Sequence, residues 1–214
     1  MPIMVCNNCK KTIDDDSKFC QFCGSKVEHT PNKKGDTLWQ AFIELSFETD
    51  KDKRQKNRQL IPPSIKEIIS RFSTNMFDSL KEDNSSVLDL PYATLEDIKN
   101  SYYFLAEDGF WIYLAKNKLR GNKTHNLEDK DVEKLVEEWN EVFVKDNAKG
   151  KKMVEEDVLE TMVASRNVQV NQLLENHEAL KKLPARVIEK IRGDLIMMPY
   201  WVYGCCLLTE RRGK

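Results

Sequence analysis

The sequence predicts a mainly α fold, a multi-helix domain tethered to a small cysteine-bearing N-terminal module. Apolar residues recur every three or four positions through residues 65–80 and 132–143, the spacing of one buried helix face. Prolines and glycines stand between such stretches, at Pro62, Pro63, Gly121, Gly150 and Pro184. The 214 residues are 40% hydrophobic and 32% charged, enough apolar content for a core under a heavily charged surface. The expected boundaries are a module at 1–28, a linker at 29–36 and a domain of six or seven helices at 37–214.

In the N-terminal module, Cys6-Asn7-Asn8-Cys9 and Cys20-Gln21-Phe22-Cys23 are two C-x2-C pairs separated by ten residues. Two-residue spacing lets each turn present both sulfurs to one ion at about 2.3 Å, and two such turns complete a tetrahedral shell. Cys6, Cys9, Cys20 and Cys23 are therefore the expected ligands of one structural Zn²⁺. With all four positions filled by protein, no bound water remains to be activated. Gly24 follows the second pair, where a positive φ helps backbone N–H groups turn towards the thiolates. Lys10, Lys11, Lys18 and Lys26 lie close in sequence to offset the site's net negative charge.

The stretch CNNCKKTIDDDSKFCQFCGSKV resembles the short bacterial and archaeal zinc-ribbon family, in its acidic turn at Asp14, Asp15 and Asp16, its Ser17-Lys18-Phe19 lead-in and its closing Cys-Gly. The resemblance covers residues 3–28. It implies a small β ribbon around one zinc and no particular activity, because that family's ribbon is attached to many unrelated proteins.

Residues 29–36 (HTPNKKGD) are polar and without apolar period, as a linker is. Residues 37–47 fit a helix through Leu38, Ala41, Phe42 and Leu45, and a strand through Trp39, Ala41, Ile43, Leu45 and Phe47. The helical character of the remainder favours helix. After Pro62 and Pro63, Ser64 and Glu67 read as a capping box for a helix with Ile65, Ile68, Ile69, Phe72, Met76 and Leu80 inward. Thr94 with Asp97 reads as a looser cap for a helix through Gly109 to Gly121. The competing reading there is a hairpin, with strands at 102–106 and 110–115. Asn126 is the expected cap of a helix burying Val132, Leu135, Val136, Trp139, Val142 and Phe143. Residues 149–152 read as a break. Val154, Val158, Leu159, Met162 and Val163 give a further helix, Leu173, Leu174 and Leu180 another, and Pro184 opens the last in its first turn, with Val187, Ile188, Ile191 and Leu195 inward.

Residues 195–208 are uncharged, yet 14 residues fall short of the roughly 20 needed to span a bilayer, so a buried C-terminal helix is expected. Cys205 and Cys206 are expected to pack as small apolar side chains. The first five residues have no basic or apolar leader character, and the cysteines are not dispersed as in a disulfide framework. Both features point to a reducing, cytoplasmic setting.

A net charge of -1 gives no global attraction to nucleic acid or anionic lipid. Local basic clusters occur at Lys51, Lys53, Arg54, Lys56 and Arg58, and at Lys116, Lys118, Arg120 and Lys123. With Trp111 and Tyr113 beside the second, a phosphate-tracking and base-stacking surface is one reading, and solvated helix ends the other. No Gly-rich phosphate loop, G-x-S-x-G or H-E-x-x-H occurs. His29, His125 and His177 are far apart in sequence, and each reads as a surface or turn residue. Glu155, Glu156, Asp157 and Glu160 read as a solvated acidic helix face rather than a metal site.

Arg120 and His125 have the R-x4-H spacing that resembles the active-site motif of the HEPN ribonucleases, which are small all-α proteins. The resemblance implies a histidine general base beside an arginine that stabilises charge on phosphorus. Gly121 stands where that family usually has a polar side chain, and the motif falls between helices. The expected function is that of a non-enzymatic zinc-binding interaction protein or adaptor, with a macromolecular partner, protein ahead of nucleic acid. The alternative is a nucleic-acid-acting protein, a metal-independent ribonuclease included.

Overall fold

The computed structural model describes the backbone of residues 3–5, 12–14, 35–46, 56–121, 127, 131–145 and 154–212, and the side chains of these except at 3–5, 12–14, 35–37 and 143–145. The chain divides into two compact units, Met1–Lys33 and Lys34–Lys214.

In the first unit, β1 (Ile3–Val5) pairs antiparallel with β2 (Thr12–Asp14), in the register Ile3↔Asp14, Met4↔Ile13 and Val5↔Thr12. Residues 6–11 connect the two strands. The four cysteines of the expected zinc site lie outside the described residues, as does residue 29–34 of the expected linker.

The second unit is mainly α. Helix α1 (Gly35–Ser46) begins inside the expected linker. Leu38, Ala41 and Phe42 are buried and Ile43 is exposed, so the burial follows the three-to-four spacing and not the alternation a strand requires. Helix α2 (Pro63–Asp83) buries Ile65, Ile68, Ile69, Phe77 and Leu80. The capping box is absent. Pro63 opens the helix, where its missing N–H and fixed φ are no loss, and Pro62 occupies the cap position. Ser64 lies inside the first turn and donates to the Leu127 carbonyl at 3.0 Å, tying α2 to the chain that leads to the fourth helix. At the other end, Asn84 Nδ2 donates to the Leu80 carbonyl at 3.1 Å.

Helix α3 (Tyr92–Leu119) runs unbroken through Gly109, so the hairpin reading of 102–115 does not hold. It packs against α1, α2 and the last two helices, and buries Ile98, Tyr102, Leu105, Phe110, Ile112 and Tyr113 among others. A side chain at Gly109 would place Cβ 2.4 Å from the Pro199 carbonyl oxygen and 2.9 Å from Val202 Cβ. The glycine lets two long helices cross closely, and that contact outweighs its poor helix propensity of about 1 kcal/mol. Thr94 is inside this helix rather than its cap. Gly121, at φ 67°, ends the turn after α3.

Asp131, just before helix α4 (Val132–Lys145), accepts from the Lys134 N–H on Oδ1 at 3.0 Å, as a cap does; the expected cap, Asn126, lies outside the described residues. Val132, Leu135, Val136 and Trp139 face inward; the side chain of Phe143 lies outside the described residues. Helix α5 (Glu156–Asn176) is continuous where two helices were expected. Its buried stripe is partly polar: Thr161 and Ser165 stand between Val158, Met162 and Leu173 at helical spacing. Leu180 belongs to a short 3-10 turn (Leu180–Lys182).

Helix α6 (Ala185–Arg212) starts just after Pro184, whose carbonyl accepts from Val187 N at 2.8 Å. It buries Val187, Ile191 and Leu195, and its apolar run is interior: Met198, Val202, Cys205 and Cys206 are fully buried. No described helix is long and apolar enough to cross a membrane. Burial pushes the Cys205 thiol up to about 12 and Cys206 well above its usual range, so both pack as small apolar groups with little nucleophilic character.

Candidate functional site

Three polar constellations cross the helical unit. The first takes in part of the expected ribonuclease motif. Lys116 is buried near the end of α3, with Nζ 2.6 Å from Glu155 Oε2 and 2.5 Å from Asp157 Oδ2. Arg120 pairs with the same Glu155. Glu155 and Asp157 are thus ion-pair partners of the second basic cluster, while Glu155, Glu156 and Glu160 remain exposed, as a solvated acidic face is. Trp111 and Tyr113 are 3% and 1% exposed, so neither offers a base a face to stack on, and the stacking surface expected beside that cluster is not there. Tyr113 donates instead to Glu210 at 2.9 Å. His125 and Lys123 lie outside the described residues, as do His29, Lys51, Lys53 and Arg54.

The second joins the C-terminus of α5 to the first turn of α3. His177 Nδ1 is 3.1 Å from Thr94 Oγ1, and its Nε2 is 2.8 Å from Asp97 Oδ2. A hydroxyl, an imidazole and a carboxylate in that order form a nucleophile-activating chain when the hydroxyl is open to a substrate. Thr94 is 3% exposed, which closes it to attack. The three residues act as a polar staple between two helix ends.

The third is a cleft of about 190 Å³ bounded by the end of α1, residues Asn57 and Arg58, the middle of α3 and α5. Its inner wall carries adjacent carboxyls, Glu107 and Asp108, both buried. Arg58 reaches in from the rim, its Nη2 3.2 Å from Glu107 Oε2 and its guanidinium 5.5 Å from the centre of the Phe104 ring. Burial pushes the Glu107 carboxyl upward, and Arg58 opposes that shift. Burial lifts Asp108 to about 8; a hydrogen bond from the Ser165 hydroxyl opposes the rise and the Glu107 charge adds to it. Asp108 is therefore mostly a neutral acid at pH 7.

Sequence reasoning missed this cleft. The available signal was two acids together in an otherwise uncharged stretch, residues 102–115, on a buried helix. The raised Asp108 value also fixes a pH dependence. The folded state holds a proton that the unfolded chain, with an ordinary aspartate near 3.9, has released, so stability is lost as pH rises from about 4 to about 8. Asp108→Asn keeps an acceptor for Ser165 and cannot ionise. Thermal melts should show the variant gaining on wild type through that window, by on the order of a few kcal/mol at pH 8. Parallel curves for the two proteins would contradict the assignment.

Among the described residues no group of three or more histidines, cysteines, aspartates or glutamates is placed to hold a metal ion. No protein-family model, curated protein or solved structure matches this chain.

Proposed function

We propose that the chain is a zinc-binding interaction protein of two units, an N-terminal ribbon built on one structural Zn²⁺ and a helical unit that carries the recognition surface for a macromolecular partner, a protein. The observation that carries the zinc assignment is the pair of C-x2-C turns at Cys6, Cys9, Cys20 and Cys23. Cys6 and Cys9 fall in sequence between β1 and β2. The donor set suits Zn²⁺, four soft thiolates that satisfy a d¹⁰ ion with no geometric preference of its own. A closed shell of this kind contributes folding free energy to its module and leaves no catalytic position. The buried free thiols of Cys205 and Cys206 are compatible with the reducing, cytoplasmic setting proposed for the protein.

Serine at Cys9 or Cys20 is expected to abolish zinc binding and to open residues 1–33 to limited proteolysis, while the helical unit keeps its Tm. A variant that retains its zinc would overturn the ligand assignment. The ribonuclease reading is weakened by the ion pair that engages Arg120 with Glu155. Incubation of the full chain with labelled single-stranded RNA separates the two classes, and cleavage that depends on Arg120 and His125 would replace the present proposal.

A further inference from the structure

We propose that the cleft between α1, α3 and α5 binds one small neutral ligand, a planar six-membered cyclic amide. Its carbonyl oxygen accepts from the Trp111 indole N–H, and its ring N–H donates to the side-chain carbonyl of Gln169. The inference is independent of the zinc ribbon. Its first support is Trp111, which lines the cleft and is 3% exposed. The indole N–H has no hydrogen-bond partner among the described residues, yet Nε1 is not sealed off as that of Trp139 is. A donor on a side chain this deeply buried ordinarily has an acceptor, and the cleft is where this one is open. The second support is Gln169 on α5, a partly buried wall residue whose amide also makes no hydrogen bond among the described residues. An unpaired donor on one helix and an unpaired carbonyl on another call for a ligand with an acceptor beside a donor.

Size and charge narrow the occupant. The volume of about 190 Å³ lies below the roughly 300–1,000 Å³ of sites for drug-sized ligands, so a single ring suits it. Glu107 is paired with Arg58 at 3.2 Å, and Asp108 is mostly protonated at pH 7 and bonded by the Ser165 hydroxyl. The lining therefore carries no unmet charge, and an ion would lose its hydration there without a counter-charge in return. Phe104, 40% exposed, gives a flat ring an aromatic surface to lie against. A hydrocarbon ring would use that surface and leave Trp111 and Gln169 unpaired, whereas a cyclic amide uses all three.

2-Pyridone is the probe, and N-methyl-2-pyridone, which keeps the ring and the carbonyl but lacks the N–H, is its control. The full chain has four tryptophans, so nitrogen-15 labelling gives four indole N–H resonances. That of Trp111 is assigned through its contacts with the Phe110 ring, 5.0 Å away between centres. Titration with 2-pyridone is expected to move this resonance downfield along a one-to-one saturation curve, while those of Trp39, Trp139 and Trp201 stay in place. Gln169→Met, a swap of similar length at a partly buried position, should keep the wild-type Tm and weaken binding about three- to tenfold, the worth of one neutral hydrogen bond. The N-methyl compound should bind the wild-type chain more weakly by about the same factor. No movement of the Trp111 resonance at tens of millimolar 2-pyridone, equal affinity for the N-methyl compound, or an unchanged affinity in Gln169→Met would each overturn the proposal.

Discussion

Gly109→Ala is expected to lower the stability of the helical unit by about 3 kcal/mol and its Tm by roughly 6–12 °C in a thermal melt followed by circular dichroism. In an exposed helix the same change would stabilise by about 1 kcal/mol through propensity and backbone entropy. Here the added Cβ would meet the Pro199 carbonyl oxygen at 2.4 Å and the Pro199 Cα at 3.0 Å. Backbone atoms cannot rotate aside, so α3 and α6 must separate along an interface that both helices use for much of their burial. Overpacking therefore exceeds the propensity gain. An unchanged or raised Tm would mean that the two helices do not cross at this glycine.

Trp139→Ala should cost about 3–5 kcal/mol, the usual range for deleting a large buried aromatic. Trp139 is 0% exposed, and its indole Nε1 has no hydrogen-bond partner among the described residues, so packing holds the ring. Part of that packing is the backbone of α6 at Gly204, where a Cβ would stand 2.0 Å from Trp139 Cε2. Gly204→Ala alone should therefore be strongly destabilising. In the Trp139→Ala background the same glycine change should cost far less, because the space it needs has been vacated. Denaturant melts of the four proteins in this cycle give the coupling directly, and additive costs would contradict the ring-on-glycine contact.

The helices were legible where their inner faces are apolar throughout. Ile65, Ile68, Ile69 and Leu80 repeat at helical spacing, and the burial follows them. Helix α5 was misread as two because Thr161 and Ser165 stand at inward positions, and a periodicity argument counts only apolar residues. The caps failed for a related reason. Ser64 and Thr94 are capping residue types, yet each is buried one or two positions inside its helix and bonded across the fold, to Leu127 and His177. Prolines 62 and 91 set the starts instead. Trp111 and Tyr113 read as a surface because they flank lysines in sequence, but α3 is central and buries most of its circumference. The cleft at Glu107 and Asp108 was invisible because its other walls come from residues about 50 to 60 positions away in the chain.

The zinc content of the full-length protein tests the proposed function most directly. Elemental analysis of protein purified without chelator is expected to give one zinc per chain, and the fragment Lys34–Lys214 none. Clearly substoichiometric metal in the full chain, or equal metal in the fragment, would contradict a ribbon held by Cys6, Cys9, Cys20 and Cys23.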